Sequence, residues 1–569
     1  MQILPSAVQR LLVKLPADLR SADLFRPGTA TGALVRSAAI VADDAGTFAG
    51  SGLGQGVTGF QWQPVTPMQA ARALHPWDAA HALVQRTATE LGRGVYAEPD
   101  YLQQPLLPQP DLSAAAVAGG GCAESSYNPD WGPTDHLTFG WHLGTDYSQL
   151  KAARDAVGDR LTTGGWRVRI GHLDTGYDPS HISLPIRLRA DMAWNFVDNN
   201  NNAVAPTSAG GLLPDPSHGI GTLGLLAGKQ IPQMGNDFLG GAPYADIVPV
   251  RVGNTWLHLG TGALAGGIDH AVGCGCNVIS ISAGGLPAQS WADAVNHAYD
   301  KGCCIFAASG DSLGGLPTHL TVYPARFKRV VSVCGVTHEG QPYYRDDYGF
   351  SRRLEGNWGP SSAMATAISA YAPNVPWAKQ GCGTKFDADG SGTSAATPQA
   401  AAAAALWLQM HLDQMTGAQP WQKVEAVRIA LFNTARPGDG ERLGHGSLRA
   451  MDALGVAYDP ARLPQAPQPP DNIDFALLKE LFGLNVFGVA TLADAATGTL
   501  SPERQHMLEV EAAQLVQSVP QLAQIVGDAD IATAQFPPNV RRELVTAMRT
   551  SPAASQTLRQ FLDAAAARI

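Results

Sequence analysis

The chain has 569 residues, 45% of them hydrophobic and 15% charged, with 62 glycines; this excludes a disordered or strongly solvated chain and predicts a tightly packed protein of several domains. Its formal charge of −10, from 39 Lys and Arg against 49 Asp and Glu, comes without a basic block, which argues against nucleic acid and anionic membrane as partners.

The opening residues, "MQILPSAVQRLLVKLPADLR", hold no uninterrupted apolar core of signal-peptide length, and no later run is long enough to cross a bilayer. As it stands the sequence predicts a cytoplasmic protein with no transmembrane segment; the alternative is a secreted one whose signal is absent from this sequence. Residues 1–106 read as a small α+β unit, with a strand in "RLLVKL" (10–15), a helix opening on Pro76 (76–92) and a closing strand in "GVYAEPDYL" (94–102). Residues 103–132 then collect Pro, Ser, Ala and Gly without periodicity, so an exposed linker is expected over about 107–135.

From 136 to 460, β-rich runs bounded by glycine alternate with runs of helical spacing. The β-rich runs are "WRVRIGHLDTG" (166–176), "ADIVPVRVG" (245–253), "CNVISISAGG" (276–285), "CCIFAASG" (303–310) and "VVSVCGV" (330–336), and helices are expected at 218–228, 262–273 and 290–302. This order predicts an α/β fold with a doubly wound, mostly parallel sheet, helices on both faces, and a site at the carboxyl ends of the strands. A Pro-rich linker at 461–471 leads into a helical C-terminal extension, 472–569. The seven cysteines are an odd number, and Cys303-Cys304 and Cys274-x-Cys276 lie in apolar runs; buried free thiols are expected rather than a disulfide framework or a zinc site.

Three residues at glycine-punctuated boundaries carry candidate chemistry. Asp174 closes the strand "RIGHLD", where an acid serves either as a cap or in catalysis. His218 opens "HGIGTLGLLAG", although a lone histidine is most often structural. Ser394, in "GTSAATP" (392–398), belongs either to a plain loop entering a buried alanine-rich helix or to a nucleophile at a helix N-terminus, where free N–H groups and the helix dipole favour negative charge. Together they offer what acyl transfer needs: a serine hydroxyl, an imidazole to take its proton, and a carboxylate to fix the imidazole's tautomer. Asp387-x-Asp389-Gly-Ser391 looks like a fragment of a calcium loop, but the distal Glu is lacking and the segment is read as a loop. No cofactor is assigned, and a structural calcium is left open.

The chain here resembles the subtilisin-like serine proteases. "GHLDTG", "HGIGTLG" and "GTSAATP" look like that family's three active-site signatures, with "GGAPYADIVPVRV" (240–252), "VISISAGG" (278–285) and "YPARFKRVVSVCGV" (323–336) as intervening landmarks in order, over about 136–455. The resemblance implies that Asp174, His218 and Ser394 are the triad. It also implies that Ser282, Ala283 and Gly284 bind an extended substrate backbone, and that Ala308, Ser309 and Gly310 wall the pocket for the residue before the scissile bond. Small residues in that wall suggest room for a large apolar side chain. Ile220 and Gly221 depart from the Thr and His usual after the catalytic His-Gly, which should alter local packing and leave the base in place.

A second departure falls at the oxyanion hole. Ser394 N–H is the expected first donor, but where the family usually has Asn this chain has Asp311, in "AASGDSLGG" (307–315). An ionised carboxyl there repels the developing charge, whereas a protonated one can donate to it. "VYAEPDYLQQP" similarly resembles the end of an inhibitor-type propeptide, which implies that residues 1–106 act as an intramolecular inhibitor and are cut away within the linker. The implied function is a serine endopeptidase acting on protein or peptide substrates, made as a zymogen and self-processed. The alternative is a protease-like binding or regulatory protein held inactive by its N-terminal unit, with the C-terminal extension recruiting a partner.

Overall fold

Short buried runs such as "LLVKLP" and "YAEP" in the first hundred positions build a small antiparallel sheet. In the computed structural model, residues 10–16, 35–37, 60–68, 74–103, 122–158, 165, 167–206, 218–254, 259–313, 320–344, 354–483 and 500–566 are described. Strands β1 (Leu11–Pro16), β2 (Val35–Ser37), β3 (Phe60–Pro67) and β4 (Tyr96–Pro99) pair antiparallel in the order β2-β3-β1-β4. Helix α1 (Pro76–Leu91) buries Trp77, Ala80, Leu83 and Val84. It opens on Pro76, whose missing N–H is harmless in a first turn, and stops at Gly92, which takes a left-handed φ of 63°. A two-residue strand, β5 (Leu102–Gln103), ends the unit.

The glycine-bounded runs form a sheet of seven strands. They are β6 (Arg169–Asp174), β7 (Trp194–Asn195), β8 (Asp246–Arg251), β10 (Val278–Ile281), β11 (Cys304–Ala308), β12 (Val330–Val336) and β13 (Ala367–Tyr371), while the short β9 (Leu259–Gly260) lies outside it. Their order is β13-β12-β11-β10-β6-β8-β7, every pairing parallel. Successive residues point to opposite faces, and both faces are covered. One face of β6, β10 and β11 sends Leu173, Ile279 and Ile305 against helices α4 (Thr261–Gly273) and α5 (Gln289–Asp300). The other sends Ile170, Val278 and Phe306 against α3 (His218–Ala227), α6 (Thr393–His411) and α7 (Pro420–Thr434), with α2 (Leu150–Gly158) on the same side. Alanines 400–405 let α6 run through this core at close range, none of them more than 3% exposed.

Three expectations are corrected. The cysteines are not all free: Cys122 and Cys382 form a disulfide, with Cα atoms 5.3 Å apart across 260 residues of chain. Neither residue has a neighbouring partner in sequence, so spacing could not reveal the pair. Cys274, Cys276, Cys303, Cys304 and Cys334 are free thiols. The bridge also ends the linker earlier than expected, because residues from 122 onward are docked on the sheet domain. Ser125 N–H donates to Asp387 Oδ1 at 2.9 Å, Asn128 N–H donates to Asn374 Oδ1 at 2.7 Å, and Trp131 is buried. Residues 107–121, the first part of the expected linker, lie outside the described residues.

The segment expected to be a loop at Asp387–Ser391 is largely a strand, Phe386–Gly390, paired antiparallel with Val375–Ala378. Lys379 Nζ holds Asp387 at 2.8 Å, and Ser125 Oγ donates to Asp389. Among the described residues no group of three or more His, Cys, Asp or Glu converges as a metal site.

The Pro-rich linker is mostly exposed, but its end is tied down by Asp471, which accepts from the backbone N–H groups of Lys328 and Arg329 at 2.8 and 3.0 Å. Beyond it come α8 (Ala476–Gly483), α9 (Pro502–Ser518), α10 (Pro520–Val526), α11 (Pro538–Thr550) and α12 (Gln556–Ala566). Their apolar residues, Leu478, Leu508 and Leu558 among them, share one continuous core with Leu11 and Trp77 of the N-terminal unit and with Trp291 of α5. Gln514 of α9 spans the junction: it accepts from Trp77 Nε1 at 3.0 Å and donates to the Pro287 carbonyl at 2.8 Å.

Candidate active site

Asp174 sits on the last residue of β6, buried, where the strand ends and the chain turns through Thr175-Gly176. That turn presses against the start of α3, so closely that a Cβ at Gly219 would lie 2.3 Å from the Gly176 carbonyl oxygen. The contact brings His218, the first residue of α3, over the carboxylate, and His218 Nδ1 donates to Asp174 Oδ1 at 2.7 Å. Thr175 N–H also donates to Oδ1 at 2.7 Å, and Thr222 Oγ1, one turn along α3, donates to Oδ2 at 2.9 Å. Burial works to raise the Asp174 pKa, but the His218 charge and these hydrogen bonds prevail and hold it below the ordinary carboxylate range.

The carboxylate has a further layer behind it. With the Thr222 proton committed to Asp174, His172 Nε2–H donates to Thr222 Oγ1 at 2.8 Å. Burial pulls the His172 pKa down to about 4, against the pull of Asp174, so this imidazole is neutral at ordinary pH. On its other side His218 meets the edge of Trp377, with ring centroids 5.7 Å apart. Gly221 makes that possible, because a Cβ there would lie 2.1 Å from Trp377 Cε2. The sequence departure at 221 is therefore the space an indole occupies. His172, Thr222 and Trp377 were not singled out from the sequence; a glycine at 221 hints at a bulky neighbour but not at which one.

Ser394 lies in the first turn of α6, buried, reached through Gly392 with a left-handed φ of 83°. Its hydroxyl donates to the Ser282 carbonyl at 3.1 Å, and Ser282 Oγ donates back to the Ser394 carbonyl at 2.9 Å. The end of β10 is thus fastened beside the serine. The end of β11 is fastened by Thr393, whose Oγ1 donates to the Gly310 carbonyl at 3.1 Å. Asp311 follows, and its Oδ1 accepts from Thr393 N–H at 2.9 Å, with Thr393 Oγ1 3.2 Å from Oδ2. Burial of its carboxyl raises the Asp311 pKa to about 6, against the Thr393 hydrogen bonds and the nearby charge of His218. The structure brings Asp174, His218, Ser394, Asp311 and the segments 282–284 and 308–310 to the carboxyl ends of neighbouring strands, as a parallel sheet requires.

The N-terminal unit approaches the same end of the sheet. Glu98 accepts from the N–H groups of Gln289 and Ser290 at 2.8 and 3.0 Å, and Asp100 accepts from Gly262 N–H at 2.8 Å. These are the first turns of α5 and α4, where a negative charge meets free donors and the positive end of the helix dipole. Just after these two anchors, β5 pairs antiparallel with β9.

Comparison with known proteins places the chain in a family. The model of the Subtilase family, peptidase S8, matches residues 165–450. Thermitase of Thermoactinomyces vulgaris is 28% identical over 298 residues, covering 51% of this chain and 89% of thermitase. Subtilisin NAT of Bacillus subtilis subsp. natto is 29% identical over 313 residues, covering 54% of this chain and 72% of that protein. Among solved structures, fervidolysin from Fervidobacterium pennivorans aligns over 80% of this chain and 61% of its own, with a TM-score of 0.50 and 19% identity, a likeness of fold. With the family model spanning half of its length, the chain belongs to the Subtilase family and is a subtilisin-like serine endopeptidase.

Proposed function

We propose that Ser394 is the nucleophile, His218 the general base and then acid, and Asp174 the group that orients His218. The observation that carries this reading is the buried 2.7 Å bond from His218 Nδ1 to Asp174, which leaves Nε2 as the proton acceptor beside the first turn of α6. The Ser394 hydroxyl turns from the Ser282 carbonyl to Nε2, and Oγ attacks the peptide carbonyl carbon as its proton passes to His218. The tetrahedral intermediate collapses when His218 returns that proton to the leaving amine, and water then hydrolyses the acyl-enzyme by the same route. Ser394 N–H and Asp311, when protonated, stabilise the oxyanion. Residues 282–284 offer backbone hydrogen bonds to an extended peptide.

The same proposal makes residues 1–106 an inhibitor that is cut off within the linker. Glu98 and Asp100 on the helix N-termini, and the pairing of β5 with β9, support it. The Cys122–Cys382 bridge holds the chain just after the linker to the sheet domain and favours an oxidising compartment, hence the secreted alternative.

Purified wild-type protein should cleave casein, react with a serine-directed fluorophosphonate and lose mass corresponding to a cut in the linker. Ser394→Ala should abolish all three while keeping the fold. A wild-type chain that showed neither probe labelling nor cleavage, even after its N-terminal unit was removed, would overturn the reading in favour of a binding protein.

A further inference from the structure

We infer that Val322 occupies the pocket for the side chain preceding the scissile bond, and that this enzyme cleaves after small residues such as Gly, Ala and Ser. The inference rests on the reading of Ser394 as nucleophile, because Ser394 fixes where the pocket opens. One wall, Ser282–Gly284, continues β10 and is tied to Ser394 through the reciprocal Ser282 hydrogen bonds of 2.9 and 3.1 Å. The other, Ala308–Gly310, continues β11 and is tied to the preceding residue, Thr393, at 3.1 Å.

The isopropyl group of Val322 stands between the two. A Cβ on Gly284 would lie 2.4 Å from Val322 Cγ2 and 2.8 Å from the Tyr323 carbonyl oxygen, and a Cβ on Gly310 would lie 2.9 and 3.0 Å from the two Val322 methyl carbons and 2.8 Å from Asn357 Nδ2. Both glycines are therefore in direct contact with one side chain, and Val322 takes up much of the space between them, with Asn357 and the Tyr323 carbonyl behind it, before any substrate arrives. The small residues that suggested a roomy pocket make room for Val322.

Val322 cannot easily withdraw. Its N–H donates to the Ser309 carbonyl at 2.9 Å, within one wall. The next residue, Tyr323, exchanges two backbone hydrogen bonds of 2.7 and 3.0 Å with Gly285, beside the other. Branching at Cβ restricts its rotamer further. Val322 itself stays half-buried, whereas Ser309, Thr321 and Tyr323 around it are closed off. A large aromatic or aliphatic side chain entering here would overlap the Val322 methyl groups, and overpacking a closed site is costly. Apolar pockets discriminate by roughly 10- to 200-fold for a difference as small as one methylene.

The test uses the full-length chain, wild type and V322G, with V322A as a milder second variant. A portion of each is titrated with a fluorophosphonate to count competent active sites, and the unlabelled remainder is assayed on peptides identical except for Ala, Leu or Phe before the scissile bond. In the wild type kcat/KM should be highest for Ala. V322G should shift the Phe-to-Ala ratio toward Phe by at least about 10-fold, and V322A should fall between. A wild-type preference for Phe or Leu, or the same ratio in all three proteins, each shown by a labelled portion to be competent, would overturn the inference. Loss of labelling in V322G alone is covered by V322A, whose ratio must still move. Failure of the wild type itself to label would instead sink the underlying assignment of Ser394, and this inference with it.

Discussion

At Asp311 one side chain is asked for two incompatible things. Ionised, it is a good acceptor for Thr393 N–H at the start of α6; as a neighbour of the oxyanion it is useful only when protonated. Burial raises its pKa to about 6, so the useful form is lost as the pH rises through that value. In the wild type kcat/KM should therefore fall from about pH 6 upward, a limb that an amide would not show. Asp311→Asn keeps an oxygen for Thr393 N–H and gains a permanent donor. The variant should exceed the wild type at pH 8 by roughly 100-fold, the ratio of ionised to protonated Asp311 about two units above its pKa and the lower end of the range for one oxyanion donor, and keep the acidic limb. Stability gives an independent check of sign. An aspartate whose folded pKa is raised destabilises the folded state progressively as pH rises from its unfolded value near 4 to about 6. The gain in Tm on Asp311→Asn should be larger at pH 8 than at pH 4. Equal alkaline limbs in the two proteins would place Asp311 outside the oxyanion site.

Helix α3 shows how an element holds a residue in place. It starts on His218, meets the Asp174–Gly176 turn through Gly219, and admits the Trp377 indole through Gly221. Gly221→Ala would put a methyl group into that ring. Either the indole leaves the face of His218 or α3 shifts away from Asp174, and in both cases kcat/KM should drop by at least about 10-fold, since a misplacement of about 1 Å can cost roughly 100-fold. Trp377→Ala in the same chain should relieve much of the damage, so that the two changes combine non-additively. Independent, additive losses would mean that Gly221 and Trp377 do not share the strain. The same helix marks how far the sequence could be read. Continuous apolar runs such as "VVSVCGV" identify β12 because a strand buried on both faces needs no alternation. The strand β13, "AISAY", and the N-terminal β3, "FQWQPVTP", carry no such signature; one is short and alanine-containing, the other is interrupted by Pro64. The three candidate triad residues were legible because each sits where glycines force a boundary. Trp377, Thr222 and the Cys122–Cys382 bridge were not, because each acts through a partner distant in sequence and packing leaves no local mark.

On the scale of the whole molecule, the C-terminal helices act as a brace on the N-terminal unit. Asp78 of α1 accepts from Gln556 and Thr557 N–H at 2.9 and 2.8 Å, capping α12, and His75 Nε2 donates to the Ala553 carbonyl at 3.1 Å. Cutting the linker would therefore leave residues 1–106 attached through these contacts and the shared apolar core. The brace contains its own dependence on pH. Glu511 on α9 is buried against Ser555, accepting from its N–H and Oγ at 2.7 and 2.8 Å, and burial raises its pKa to about 8, with Asp78 adding to the rise and Arg559 opposing it. Glu509, which accepts from Phe475 N–H at 2.8 Å, is raised by burial to about 7, with Lys479 opposing and Asp474 adding. An unfolded chain gives up these protons near pH 4.5, whereas the folded one keeps them until pH 7 to 8, so the packing of this region weakens as pH rises across that interval and is unaffected below it. Release of a cleaved N-terminal unit, followed by size-exclusion chromatography of Ser394→Ala protein cut in the linker by an added protease, should be faster at pH 8.5 than at pH 5.5. Glu511→Gln removes the ionisation and leaves an acceptor for Ser555 N–H. It should slow release at pH 8.5 and change nothing at pH 4. A release rate that rises toward acid, or that ignores this substitution at pH 8.5, would show that the brace does not respond through Glu511.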